Sequence, residues 1–125
     1  MRPIMFRGYN KKNGKWLYGS YILNRGHHFV APDEFADGKT WEDYEVDADS
    51  VGQFTGLQDC DGVDIYEGDL LLSCEIAEVF EVIFDAPRFC LKDNDFGFRF
   101  LNRPENFIVE GTAYQDKGIL KGGEA

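Results

Sequence analysis

Side chains able to do chemistry are few in this chain and widely scattered. His27 and His28 are neighbours, so on a strand they point to opposite faces and cannot share a metal ion. Cys60, Cys74 and Cys90 lack the close spacing of zinc ligands. Asp59-Cys60-Asp61-Gly62 has the outline of a calcium loop. Setting Gly62 at the sixth loop position, however, puts Leu57 at the first and Gly68 at the twelfth, where carboxylates are required. Nucleophilic chemistry finds no better support, because no signature sets a cysteine or serine beside a base. Cys74 and Cys90 fall in strand-like runs, where a thiol is expected to be buried and inert. The carboxylate pairs Glu42/Asp43 and Asp47/Asp49 lie in a charged stretch without the apolar surroundings that raise a pKa toward that of a general acid. No glycine-rich phosphate loop leads into a helix. The sequence therefore predicts no enzyme, no catalytic residue, no metal site and no cofactor.

Charge points to binding, and its placement is uneven. Residues 1–32 hold six Lys or Arg and no acid, whereas residues 33–69 hold thirteen Asp or Glu against Lys39 alone. Such asymmetry signals an oppositely charged partner, contact between the two segments themselves, or solvated loop acids that keep the protein soluble. The basic part interleaves Arg2, Arg7, Lys11, Lys12, Lys15 and Arg25 with Phe6, Tyr9, Trp16, Tyr18 and Tyr21, the mixture that single-strand binders use. Lys11, Lys12, Lys15 and Arg25 are the candidate nucleic-acid contacts. Against them stands the net charge of −10, whose long-range field repels a polyanion. The acidic segment could mimic DNA, but it carries one net charge per ~10 Å of extended strand, against one per ~1.7 Å of duplex axis.

The elements that must position these residues read as all-β. Short β-branched and aromatic runs are separated by Gly, Asn and Asp clusters, with almost no helical periodicity. Runs at 4–9, 15–23 and 27–31 are joined by Asn10 to Gly14 and by Asn24-Arg25-Gly26, a β-meander. An exposed acidic loop at 32–43 and a short strand at 44–46 follow. Strands at 51–57 and 63–66 flank the Asp-Gly turn, and five more cover 69–74, 77–84, 88–92, 96–101 and 107–114. Period-two alternation places Phe80, Val82 and Phe84 on one face, with Phe89 and Leu91 and with Phe96, Phe98 and Phe100. The opposite face would leave Arg88, Lys92 and Arg99 in water. Five short strands in about 50 residues suit an SH3-like β-barrel, with one helical turn at 102–106 and a frayed tail at 117–125. The expected organisation is an N-terminal meander with acidic loop and signature segment (1–66) packed as one unit on an SH3-like barrel (67–116). The second strand is apolar on both faces, so it should be covered on both, by the barrel or by another chain.

The segment Val51-Gly52-Gln53-Phe54-Thr55-Gly56-Leu57-Gln58-Asp59, then Gly62 and Ile65-Tyr66-Glu67-Gly68-Asp69, closely resembles the signature of the YopX family of phage and prophage proteins. Phe6-Arg7-Gly8-Tyr9 with Trp16-Leu17-Tyr18-Gly19 is similar to that family's N-terminal hairpin, and Val109, Gly111 and Tyr114 to its closing strand. Cys60 and Ala113 depart from the usual pattern. The resemblance implies an all-β fold with an SH3-like C-terminal half and, since the family is functionally uncharacterised, no known enzymatic activity, cofactor or partner. Physically the signature reads as structural. Gly52, Gly56 and Gly68 permit turns or close approach, Gln53, Thr55 and Asp69 satisfy loop backbone groups, and Tyr66 with Phe54, Leu57 and Ile65 fills the space between halves.

Length and composition complete the expectation. The 125 residues are 43% hydrophobic and 15% aromatic, enough for an ordered core without staples. No run approaches the length of a membrane span, and the N-terminus lacks a signal-peptide core. An odd cysteine count without paired spacing fits a reducing cytoplasm, here that of a bacterial host. The expected role is non-enzymatic protein–protein contact, including self-association into a homo-oligomer, through Trp16, Tyr18 and Tyr21.

Overall fold

In a computed structural model, residues 5–76, 78–85, 88–93 and 98–116 are described, with the side chains of 98–100 excepted. Expectations for Arg2, Phe96 and the tail at 117–125 lie outside these residues, as do those for the side chains of Phe98, Arg99 and Phe100. The protein is all-β, in two antiparallel sheets, and among the described residues helix is confined to three short 3-10 turns at Trp41–Tyr44, Ala48–Ser50 and Pro104–Asn106. Among the described residues no helix is long and apolar enough to cross a membrane. The chain divides into two compact units, Met1–Phe54 and Thr55–Ala125.

The first unit is built on β1 (Phe6–Asn10), β2 (Lys15–Asn24), β3 (His27–Ala31) and β4 (Glu45–Val46), adjacent in the order β4-β3-β2-β1, with the start of β5 (Gly52–Gln58) beside β1. β2 changes partner at Gly19. Its first half pairs with β1 from Asn10↔Lys15 to Phe6↔Gly19, and its second half with β3 from Ser20↔Ala31 to Asn24↔His27. A Cβ on Gly19 would run into the Ala31 carbonyl, so only glycine fits this corner. Beyond the corner the sheet folds over itself. Val46 of β4 sits so close to Gly8 of β1 that a Cβ there would lie 2.7 Å from its methyl. A backbone bond from Asp47 N–H to the Tyr9 carbonyl, 2.9 Å, ties the end of β4 to β1 without a closing strand pair.

Two expectations change in this unit. The acidic loop is not simply exposed: Trp41 meets Phe29 of β3 and Phe35 edge to face, and Phe35 packs at a tilt on Tyr44, with ring centroids 4.5–5.3 Å apart. β2, expected to be covered on both faces, has no buried residue along its ten positions, and Tyr18 and Leu23 are 50% and 59% exposed.

The second unit contains the rest of β5, β6 (Asp64–Tyr66), and a five-stranded sheet. Its strands are β7 (Asp69–Ser73), β8 (Val79–Asp85), β9 (Arg88–Lys92), β10 (Phe98–Phe100) and β11 (Phe107–Thr112), in the order β10-β9-β8-β7-β11. The core is Ile65, Leu71, Phe80, Val82, Leu91, Leu101 and Phe107, with Leu57, Phe89 and Val109 against it. The sheet is open: among the described residues no ladder joins β10 to β11, so the SH3-like closure expected from strand count is not formed. Alternation holds for Phe80 and Val82, both 0% exposed, but Phe84 at the strand end is 46% exposed and packs on Phe89. The face expected to be wet is mixed as well. Leu70 and Cys90 on it are buried, and Lys92 stands opposite half-buried Glu81, whose carboxyl is pushed up by burial despite Lys92.

Candidate functional site

Two features of the first unit can serve recognition, a cleft at the hairpin tip and an aromatic face on the hairpin itself. Asn10 begins the β1–β2 turn and is almost wholly buried. Its Oδ1 accepts the Asn13 N–H at 3.0 Å, its carbonyl accepts Gly14 N–H at 2.9 Å, and its Nδ2 donates to the Asp43 carbonyl at 3.1 Å. Ser50 Oγ accepts the Tyr9 N–H at 2.7 Å and donates to the Asp47 carbonyl at 2.6 Å. The hairpin is thus fastened to the acidic segment by buried polar groups at its root.

At its tip the same two segments meet by charge. Lys11 Nζ is 3.2 Å from Asp47 and Lys12 Nζ is 3.9 Å from Glu42. The basic and acidic segments are thus in contact with each other through these two pairs. The Thr40 N–H held by Asp43 at 2.9 Å is the main reason that carboxyl lies below its ordinary range, opposed by burial and helped by Lys39 and Lys12. A general acid would need the opposite shift. Between these groups lies a cleft of about 570 Å³, bordered by Asn10, Lys11, Gly26, His28, Glu45 and Asp47.

The adjacent histidines do face opposite ways. His27 Nδ1 meets Glu45 Oε2 at 2.9 Å, whereas His28 Nδ1 meets the Tyr21 hydroxyl at 2.6 Å and stacks on its ring. Among the described residues no three His, Cys, Asp or Glu side chains gather as a metal set.

The three aromatic interface candidates divide between faces. Trp16 and Tyr18 lie opposite Tyr9 and Arg7 in the ladder, so all four share one face of the hairpin, on which Arg7 is buried and Tyr18 is exposed. The Arg7 guanidinium sits 4.7 Å over the Trp16 ring and Tyr9 meets that ring edge to face at 5.3 Å. Tyr21 is on the other face, 5.6 Å from Phe6, with its hydroxyl on His28. The nucleic-acid candidates are all exposed, but Lys11 and Lys12 face carboxylates, and Arg25 holds a positive φ of 52° in the β2–β3 turn.

The signature segment supplies backbone scaffolding. Gly52 and Gln53 pair with Arg7 and Phe6. Thr55, 1% exposed, donates from Oγ1 to the Ile65 carbonyl at 2.7 Å and accepts Leu57 N–H at 3.1 Å. Gly56, Gly62 and Gly68 all adopt positive φ. Tyr66 is buried, and its N–H is held by Asp69 Oδ2 at 2.7 Å across the Glu67-Gly68 turn. Gly68 then bonds through its N–H to Val82 and through its carbonyl to Ala113.

Sequence reasoning passed over two groups here. Asp59 accepts three backbone N–H bonds, from Asp61 and Val63 at Oδ1 and from Val109 at Oδ2. Burial pushes its carboxyl up, and those donors outweigh it and hold it below its usual value. The Asp-x-Asp-Gly spacing signals the turn, but not the reach to β11. Cys74, expected buried in a strand, lies exposed just beyond β7, and Cys60 is exposed too.

A sequence profile described as YopX protein matches residues 5–120. The crystal structure of protein EF1440 from Enterococcus faecalis is similar in fold, with a TM-score of 0.62 and 19% identity over 96% of this chain and 99% of that one. No curated protein matches in sequence.

Proposed function

The chain belongs to the YopX family, and from that premise we propose that it works without catalysis, by binding a protein partner through the aromatic face of its β1–β2 hairpin. One observation carries the reading: none of the ten residues of β2 is fully buried, and beside Trp16 on one face of the hairpin Tyr18 is 50% exposed. Aromatic surface left in water gains favourable burial when a partner covers it. Trp, Tyr and Arg are the residue types that dominate interface energies. Tyr18 is half exposed beside a Trp16 ring already fixed by Arg7 and Tyr9, so little side-chain freedom is lost on docking. A second copy of this chain is the first partner to test, and the setting is the cytoplasm of a bacterial host, as for a phage or prophage protein.

Nucleic acid is the weaker partner because the hairpin lysines already face Asp47 and Glu42. DNA mimicry is weakened too, since Asp59 and Asp69 of the acidic segment are buried on backbone N–H groups.

The test is Tyr18→Glu, which leaves Arg7, Trp16 and Tyr21 in place. Light scattering at high concentration, and capture from bacterial lysate with and without nuclease, would be compared for the two proteins, with circular dichroism checking the fold. Self-association, or a nuclease-resistant protein partner, that the folded variant loses is the expected result. A wild-type monomer that captures no protein, or capture indifferent to the substitution, would overturn the reading.

A further inference from the structure

Two thiols that are fourteen positions apart in sequence are brought together at the surface of the second unit. The Cys60 N–H bonds to the Phe107 carbonyl at 3.1 Å and the Cys74 N–H to the Asn106 carbonyl at 2.8 Å, so successive carbonyls at the start of β11 hold the two cysteines. Both are exposed, and the Cys74 thiol is among the groups that raise the Cys60 thiol. Each lies in a turn and not in a ladder, one in the Asp-Gly turn and the other in the turn that follows β7. Turn backbone can shift to meet the short separation that a disulfide needs. Cys90, by contrast, is 3% exposed within β9 and serves as an internal control.

We propose that Cys60 and Cys74 form a vicinal dithiol site, reduced at rest, which hydroperoxides close to an intramolecular disulfide. One thiolate sulfur attacks the terminal peroxide oxygen and the O–O bond breaks, giving a sulfenic acid and releasing the alcohol, or water from hydrogen peroxide. The second sulfur then attacks the sulfenic sulfur, the S–S bond forms, and water leaves with the proton. Two electrons pass from the thiol pair to the peroxide. Burial, the Asp61 carboxylate and the neighbouring Cys74 keep the Cys60 thiol protonated to higher pH than usual. The closure therefore accelerates as pH rises and is slow near neutrality.

The consequence is local. The bond ties the Asp59 turn to the end of β7. Ser73, Asn106 and Phe107 flank the two thiols and border a second cleft, of about 300 Å³, so the cross-link sits at its rim. Closing a loop of this length restricts the unfolded chain and raises the melting temperature by roughly 5–10 °C.

The experiment treats the full chain with hydrogen peroxide at about pH 8 and follows intact mass, peptide maps and thermal melting. The expected product is a monomer about 2 Da lighter, with the peptides of Cys60 and Cys74 joined, Cys90 still alkylatable, and the melting shift reversed by dithiothreitol. Cys60→Ser and Cys74→Ser should each abolish the mass loss and the shift. They should also lose capture of phenylarsine oxide, which needs two adjacent sulfurs, and that readout works without oxidation. Independent sulfinic acids on each cysteine, disulfide-linked dimers, or equal arsenical capture by the single variants would overturn the assignment.

Discussion

Replacing Asp59 by Asn is the sharpest test that the signature segment is structural. Asp59 is 6% exposed and receives N–H bonds of 2.8 Å from Asp61, 2.9 Å from Val63 and 2.9 Å from Val109. An asparagine amide is nearly isosteric but has one acceptor oxygen. If that oxygen keeps the turn, the amide NH2 meets the Val109 N–H, donor against donor. One charge-assisted bond is lost at about 1.5–3 kcal/mol, and the other two lose their charge. The total for Asp59→Asn is roughly 3 kcal/mol, a large share of the ~5–15 kcal/mol that folds a domain. With a urea slope of about 1–3 kcal/mol per molar, the unfolding midpoint at pH 7 should fall by roughly 1–3 M.

The pH dependence makes the test specific. The three donors hold the folded carboxyl below its ordinary value, while the unfolded chain titrates near ~3.9. The stability that Asp59 contributes is fully present above that unfolded value and is lost as pH falls through the lower folded one. Urea midpoints of wild type and Asp59→Asn should therefore lie far apart at pH 7 and converge as pH drops below about 3.9. A variant within about 0.2 M of wild type at pH 7, or a gap unchanged by acid, would refute this account of the turn.

Two further substitutions examine how each unit closes. Gly8→Ala drives a Cβ to 2.7 Å from the Val46 methyl and should cost about 1–3 kcal/mol by urea unfolding. Adding Val46→Ala should recover part of that loss, with a coupling of at least ~0.5 kcal/mol in the double-mutant cycle. Simple additivity would mean the two strands do not press on each other. Thr55→Val keeps the shape of a 1% exposed side chain but removes its bond to the Ile65 carbonyl, so a loss of roughly 1–3 kcal/mol is expected, with Thr55→Ser retaining most of the stability.

Strands were legible where local chemistry determines them. β3 and β9 have the bounds that alternation and flanking turns predict, and Asn13-Gly14 with Asn24-Arg25-Gly26 mark the two hairpin turns. The turn at Trp41–Tyr44 was also written locally, as Thr40 followed three residues later by Asp43, but the acidity of the segment hides it. What local pattern could not contain is tertiary. Trp41 packs onto Phe29 and Phe35 onto Trp41, Leu70 and Cys90 are buried on a face that alternation assigns to water, and the sheet of the second unit stays open. Strand count and length are nearly the same for an open five-stranded sheet and a closed barrel, so closure is decided by which edges meet. The proximity of Cys60 to Cys74 is likewise fixed by β11, thirty residues beyond the nearer cysteine, and no spacing between the cysteines encodes it.

Charge shows how a pattern that looks outward can be answered within the chain. A basic hairpin followed by an acidic stretch reads as a surface for a charged partner, yet Lys11–Asp47 and Lys12–Glu42 pair those segments across the cleft. Such exposed pairs contribute less than about 1 kcal/mol each, so they do not hold the unit together. Asn10, Ser50 and the Gly8–Val46 contact do that, beneath them. The pairs act by lowering the charge that the tip presents, which removes most of the steering toward a polyanion. The large apolar side chains that stay exposed in this unit are Tyr18 and Leu23 on β2, and Trp41 beside β3. A partner gains little by replacing ion pairs that already exist, and gains more by covering aromatic area that water now covers. For that reason the hairpin's aromatic face, and not its lysines, is where recognition should be sought.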